Sequence, residues 1–221
     1  GVFCYSLIYV VLFSIGEYCF LKLEIRAEYT RKMIHIISGL IALSFPWFLD
    51  SSSVFILCLS FLFILLWSKR NIQLQGINCI ERKSFGSELF PLSVLLCFYV
   101  YKSTDEAAYY YFPIAILTLS DPIAAIVGQH TNSCKIAIGN QTRSLIGTMT
   151  FIASALIISI VLNYYFSFQY SVVLLVIVSI SSGVIELYSR NGFDNITIPM
   201  SVISVLSVSY THLTLPTNRE V

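Results

Sequence analysis

Leu145-Ile146-Gly147-Thr148-Met149-Thr150-Phe151-Ile152-Ala153-Ser154-Ala155-Leu156-Ile157-Ile158-Ser159-Ile160-Val161-Leu162-Asn163-Tyr164-Tyr165-Phe166 contains no charged side chain. A helix needs about 20 mostly apolar residues to cross the hydrocarbon core of a bilayer, with a range of about 17–25. Leu145–Phe166 therefore reads as a membrane span. Working outward, further spans are predicted at Val2–Leu21, Ile34–Leu49, Val54–Trp67, Leu89–Tyr101, Phe112–Gly128, Tyr170–Tyr188 and Ile196–Ser207. The fold class expected is all-α, a polytopic integral membrane protein of seven or eight transmembrane helices.

Composition agrees. Of 221 residues, 57% are apolar and 11% are charged, against roughly 25% charged in a soluble domain. A chain this apolar cannot cover itself with polar groups in water. In a bilayer lipid solvates its apolar faces, and helices satisfy their own backbone polar groups. The net charge of +1 gives no global field for a nucleic acid, so none is expected as a partner. None of the six cysteines forms a C-x-x-C pair, which excludes a disulfide framework or a cysteine zinc site.

Eleven of the thirteen Lys and Arg residues fall in the odd-numbered loops between the predicted spans. They are Lys22, Arg26, Arg31 and Lys32, then Lys69, Arg70, Arg82 and Lys83, then Lys135 and Arg143, then Arg190. The even loops hold Lys102 alone. Positive loops stay in the cytoplasm, so the odd loops are expected inside and the N-terminus outside. One transmembrane domain is expected over residues 1–207. The run from Val208 to Val221 breaks off an apolar helix and resembles a translated sequencing adapter. It is expected to be a non-native tail and is set aside from the functional reading.

Polar groups at membrane depth are costly, which makes them candidate functional residues. Five groups meet that description, and all fall toward the cytoplasmic side. The first is Arg31-Lys32-x-x-His35, entering a span. The second is Glu81-Arg82-Lys83-Ser84-Phe85-Gly86-Ser87-Glu88, a mixture of donors and small residues suited to phosphate. The third is Ser120-Asp121-Pro122-x-Ala124-Ala125-x-x-Gly128. Here a carboxylate sits inside an apolar span beside a helix-disturbing proline, followed by small residues that permit close packing. The fourth runs from Lys135 to Thr148, where Arg143, Ser144, Gly147 and Thr148 open a helix whose N-terminus favours an anion. The fifth is Glu186 with Arg190, Asp194, Asn195 and Pro199, which offers oxygen ligands for Mg²⁺. Bases near Gly/Ser segments, with carboxylates close by, describe a nucleotide site at a membrane surface.

In order and spacing these pieces resemble the phytol kinase, dolichol kinase and bacterial polyprenol/diacylglycerol kinase family, relatives of the phosphatidate cytidylyltransferases. The similarity runs from about Arg31 to Pro199. Its most specific pieces are Asp121-Pro122-x-Ala124-Ala125-x-x-Gly128 and Arg143-Ser144-x-x-Gly147-Thr148. The family usually has Lys where this chain has Arg143, and Arg still clamps phosphate. The resemblance implies transfer of a phosphoryl group from a nucleoside triphosphate, typically CTP, to the hydroxyl of an isoprenoid or acylglycerol lipid, with Mg²⁺. It implies an integral membrane enzyme, of a bacterial-type inner membrane, with its site on the cytoplasmic side. On this reading Asp121 and His35 are catalytic. Arg31, Lys32, Arg82, Lys83, Lys135, Arg143, Ser144, Gly147 and Thr148 hold the nucleotide. Asp121, Glu186, Asp194 and Asn195 hold the metal. Two alternatives stand beside it, a CTP:phosphatidate cytidylyltransferase and a membrane transporter. The basic C-terminal signature of the cytidylyltransferases is not seen. The polar groups also cluster on one side, whereas a transporter needs them reachable from both.

Overall fold

The computed structural model describes residues 1–71, 74, 84–131, 135–138 and 141–214, without the side chains of 135, 137, 138, 141 and 209–214. Each apolar run becomes a helix that ends where polar or turn residues begin. Helix α1 (Val2–Leu21) stops at Lys22. Helix α2 (Ala27–Ala42) buries Ala27, Thr30, Ile34, Ser38 and Ala42, a spacing of three and four that lays one face on its neighbours. The short α3 (Phe45–Phe48) restarts at Pro46, so the single span expected over Ile34–Leu49 is two pieces. Helix α4 (Ser51–Arg70) ends in Lys69 and Arg70, and α5 (Gly86–Thr104) ends at Asp105, whose φ of 59° turns the chain.

Helix α6 (Ala108–His130) forms the centre of the bundle, packing against α2, α5, α9 and, most extensively, α7. It is buried almost continuously from Ala108 to Ser120. Strands β1 (Lys135–Ile138) and β2 (Gln141–Ser144) pair antiparallel, with Lys135 opposite Ser144 and Ile138 opposite Gln141. Helices α7 (Leu145–Tyr165), α8 (Val172–Tyr188) and α9 (Asp194–Thr214) complete the chain. Ser144 caps α7 by accepting from the Gly147 N–H at 3.3 Å, and Ser171 caps α8 by accepting from Leu174 at 3.3 Å. Apart from the two-stranded hairpin, the architecture is the all-α one expected.

This is a helical membrane protein. Among the described residues, α1, α4, α6 and α7 are long and apolar enough to cross a membrane, against the seven or eight spans expected. Helix α8 and residues 194–208 of α9 are apolar but shorter. Helix α2 has 16 residues and carries Arg31, Lys32 and His35 within them. Helix α5 carries Glu88 and Pro91 in its first two turns and Lys102 in its last. Of the polar groups that lower the hydropathy of these helices, Arg31, Lys32 and His35 of α2 line the cavity described below.

Small residues set the closest helix crossings. At Gly128 a Cβ would meet the Ser144 Cβ at 3.3 Å and the Gly147 Cα at 3.4 Å, so α6 and α7 touch nearly backbone to backbone. At Gly39 a Cβ would run into the Thr118 side chain, which brings α2 against α6 one turn before Asp121.

Candidate active site

A cavity of about 820 Å³ opens among α1, α2, α4, α5, α6 and the start of α9. Its two ends differ in chemistry. At one end stand Arg31, Lys32, His35, Asp121, Arg143, Asp194 and Asn195. Arg26, Glu28, Ser84, Ser87 and Asn191 also line the cavity, and an apolar stretch of wall is formed by Tyr9, Phe13, Leu57, Phe61, Phe90 and Val94 among others.

The polar end is assembled by three backbone segments that meet. The Phe85 N–H donates to the Asn191 carbonyl at 2.8 Å, joining the start of α5 to the turn before α9. Gly192 has φ +85°, and a Cβ there would strike the Gly86 backbone. At Gly86 a Cβ would meet Arg31 Nη2 at 2.5 Å and Asn195 Nδ2 at 2.6 Å. Two glycines therefore let a guanidinium and an amide converge on one spot. Arg31 Nη2 also donates to Ser84 Oγ at 2.8 Å.

Asp121 reaches the same cavity from α6. Its carboxylate makes no hydrogen bond or ion pair among the described residues. Asp194, Glu186, Arg143 and Lys32 lie close enough to act on it through their charges. Pro122 leaves the Thr118 carbonyl without its usual helical donor. One residue earlier, the Leu117 carbonyl faces His35 Nε2 at 3.3 Å. A carbonyl only accepts, so Nε2 carries the proton and Nδ1 is the basic atom of the ring. The His35 ring also stands edge-on to Phe90, with centroids 4.8 Å apart, which fixes its plane.

Arg143 enters from β2. Nη1 pairs with Glu186 Oε1 at 2.7 Å, and Nη2 lies 3.6 Å from Asp194 Oδ2 and donates to the Ser189 carbonyl at 3.2 Å. The pair is well buried, with Glu186 at 6% side-chain exposure, so the partners hold one another. Asn195 donates to the Gly192 carbonyl at 3.2 Å, while its Oδ1 is buried without a hydrogen-bond partner among the described residues.

The structure thus brings Arg31, Lys32, His35, Asp121, Arg143, Asp194 and Asn195 to one cavity. Glu186 stands behind Arg143 rather than on the wall. Ser144, Gly147 and Thr148 are also off the wall. The Ser144 hydroxyl caps its own helix, Gly147 lies 3.2 Å from the Ala124 carbonyl by its missing Cβ, and Thr148 is buried. Arg82, Lys83 and the Lys135 side chain lie outside the described residues.

Sequence reading missed the pair Lys69–Glu88, whose Nζ and Oε1 are 2.5 Å apart. Lys69 also donates to the Ser84 carbonyl at 2.8 Å and lies over the Phe85 ring, so it holds the segment that carries Arg31's partner. Lys69 read as an ordinary positive-inside residue. The signal was Glu88, an acid opening an otherwise apolar helix, which needs a cation.

The fold and site define a helical membrane protein with a charged chamber continuous with an apolar one. In sequence the chain is similar to the phytol kinase of Synechocystis, 29% identical over 183 residues that cover 79% of this chain and 76% of that one. It is also similar to an uncharacterized Rickettsia prowazekii protein, 32% identical over 134 residues, 58% of this chain and 55% of that one. The chain thus spans about three quarters of the first relative's length and about half of the second's. The first similarity supports the resemblance to the phytol and polyprenol kinase family read from the motifs. No model of a protein family matches the chain, and no solved structure matches it.

Proposed function

We propose that this chain is a membrane lipid-alcohol kinase. It transfers the γ-phosphate of CTP to the hydroxyl of an isoprenoid alcohol (phytol, polyprenol or dolichol) or of diacylglycerol. The observation that carries the reading is the two-ended cavity: one chamber with bases and carboxylates for a nucleotide, joined to one with aromatic and aliphatic walls for a lipid tail. The similarity to a phytol kinase supports it. The site faces the cytoplasm of a bacterial-type inner membrane, on the side where the basic loops collect. On this reading α2, α5, α8 and α9 also span, their polar residues shielded inside the bundle, for eight spans in all.

Phosphoryl transfer needs positioning and charge neutralisation more than covalent chemistry. Arg31 and Lys32 face the triphosphate, and Arg82, Lys83 and Lys135 are the further bases that the sequence offers to it. Arg143 does its part by orienting Glu186 and Asp194. The lipid oxygen attacks the γ-phosphorus, the bond to the β-bridging oxygen breaks, and CDP leaves. The hydroxyl proton passes to the Asp121 carboxylate or to His35 Nδ1.

Magnesium fits the donors present. Among the described residues no three His, Cys, Asp or Glu side chains form a ready cage. Mg²⁺ bound with a nucleotide needs only one or two carboxylates, the phosphates and water supplying the rest. Asp121, Asp194 and Asn195 Oδ1, which has no hydrogen-bond partner among the described residues, offer that much. Glu186 would support them through Arg143. When bound, the ion neutralises charge on the phosphate oxygens.

The test uses purified protein, Mg²⁺, a panel of lipid alcohols plus phosphatidate, and CTP labelled at the γ-phosphate. Label entering an extractable lipid is expected and names the acceptor. Label leaving as pyrophosphate with phosphatidate marks a cytidylyltransferase instead. No release with any acceptor sinks both and favours a transporter.

A further inference from the structure

A second cavity of about 480 Å³ lies between α1 and α4, lined by Val10, Phe13, Ser14, Glu17, Ile64 and Trp67 among others. Val10, Trp67 and Ile64 are 54%, 51% and 38% exposed, so this groove lies on the outer surface of the bundle, where lipid would stand. Phe13 is the one described residue common to its wall and to that of the 820 Å³ cavity. Its ring stands 6.3 Å from Tyr9 and 5.7 Å from Phe61, both of which line the inner cavity. The inner cavity that Phe13 lines also has Leu57, Phe61 and Leu65 on its wall and holds the charged residues of the site.

We infer that the gap between α1 and α4 is a lateral portal through which one hydrocarbon chain of the acceptor lipid enters from the bilayer, with the Phe13 ring as its door. This rests on the lipid-kinase reading and deepens it. A lipid alcohol has no aqueous route to the charged chamber, because its tail is insoluble in water. The route must cross the helix wall, and Phe13 is the described residue that faces both the outer groove and the inner cavity. Helix α1 is suited to form the moving side. It packs on α2 and only lightly on α4, and it is the least buried of the four long apolar helices. A door one ring wide admits one chain at a time, and a ring moving between rotamers needs no change in the backbone.

Ser14→Trp fills the groove, since Ser14 is exposed and, among the described residues, its hydroxyl bonds the Val10 carbonyl of its own helix. Phe63→Trp is the control, a new indole on an α4 residue that is 69% exposed and lines neither cavity. Protein in vesicles is given a long-chain prenyl alcohol with a photoreactive diazirine at the tail end, and labelled residues are mapped by mass spectrometry. Wild type and Phe63→Trp are expected to carry label on α1 near Phe13 and on α4 near Phe61, and Ser14→Trp to lose the inner label. In turnover, Ser14→Trp is expected to lower the ratio of long-chain to short-chain kcat/KM by about tenfold. Inner labelling unchanged in Ser14→Trp, or label absent from α1 and α4, overturns the portal. Labelling reports the portal without turnover. A protein that labels as expected but phosphorylates no alcohol would sink the kinase reading and leave the portal standing.

Discussion

Helices α6 and α1 are both apolar and both long enough to cross a membrane, yet 61% of the apolar stretch of α6 is buried inside the bundle against 17% of that of α1. Sequence hydropathy scores them alike because lipid tails and protein cores are equally dry. What separates them is what an apolar helix can carry. Helix α6 holds two prolines and an aspartate within its apolar length, packed among α2, α5, α7 and α9. Helix α1 shows a nearly unbroken apolar surface, with Glu17 close to its C-terminal end. On the proposed reading, chemistry belongs to the more buried helix and lipid access to the more exposed one.

The sharpest way to break this comparison is at Asp121. Asp121→Asn keeps the shape and removes the charge, and turnover is expected to fall about 10²–10⁴-fold, the range for loss of a positioned acid–base group. Its thermal unfolding in detergent is expected to hold or rise, since no hydrogen bond or ion pair is lost. Near-normal turnover would remove Asp121 from the mechanism. Arg143→Gln strikes the support rather than the reacting atoms. It leaves Glu186 buried without its cation, and breaking a buried pair in this way costs about 3–5 kcal/mol. A lowered unfolding temperature together with lost turnover is the expected signature. Lost turnover with unchanged stability would instead place Arg143 on the nucleotide.

Much of this was legible in the sequence, and what was not has physical causes. The convergence of the segments at Arg31, Asp121, Arg143 and Asp194 on one end of the bundle follows from the loop charges, because alternating spans return every odd loop to the same side. The distinction between Arg31, which faces the cavity beside Gly86, and Arg143, which is claimed by Glu186 and Asp194, does not. Both are bases near small residues, and only the distance to a carboxylate on another helix separates them. Ser144 and Gly147 read as phosphate ligands because capping and close packing select the same residue types as anion binding. The paired strands Lys135–Ile138 and Gln141–Ser144 were hidden for another reason: two four-residue strands are too short for an alternating pattern to stand out in an apolar chain. The portal at Phe13 left no trace, since one aromatic in an apolar helix is indistinguishable from any other.

Gly86→Ala makes a smaller test on the same theme. The added methyl would meet Arg31 Nη2 at 2.5 Å and Asn195 Nδ2 at 2.6 Å, both ends of side chains that can shift. Overpacking of this kind costs about 1–3 kcal/mol. The expected result is a modest drop in unfolding temperature and a rise in KM for the nucleotide, as Arg31 leaves Ser84. An unchanged KM would mean that Arg31 does not touch the triphosphate.

The smallest effect is expected on the lipid face of α1. Leu7 is 56% exposed on that helix, while Leu117 on α6 is fully buried beside the carbonyl that accepts from His35. In water the two truncations would differ partly because one side chain is already hydrated. In a bilayer that term vanishes, since lipid is as apolar as leucine. Only packing is left. Leu117→Ala leaves a hole among fixed neighbours, for which soluble cores set a scale of about 2–5 kcal/mol. Leu7→Ala leaves a hole that a mobile acyl chain fills, so its effect should stay within about 0.5 kcal/mol. Unfolding of both variants in the same bilayer mimetic checks the pair. A Leu7→Ala loss as large as that of Leu117→Ala would mean that α1 is covered by protein in the membrane, and that the groove beside Phe13 does not face lipid.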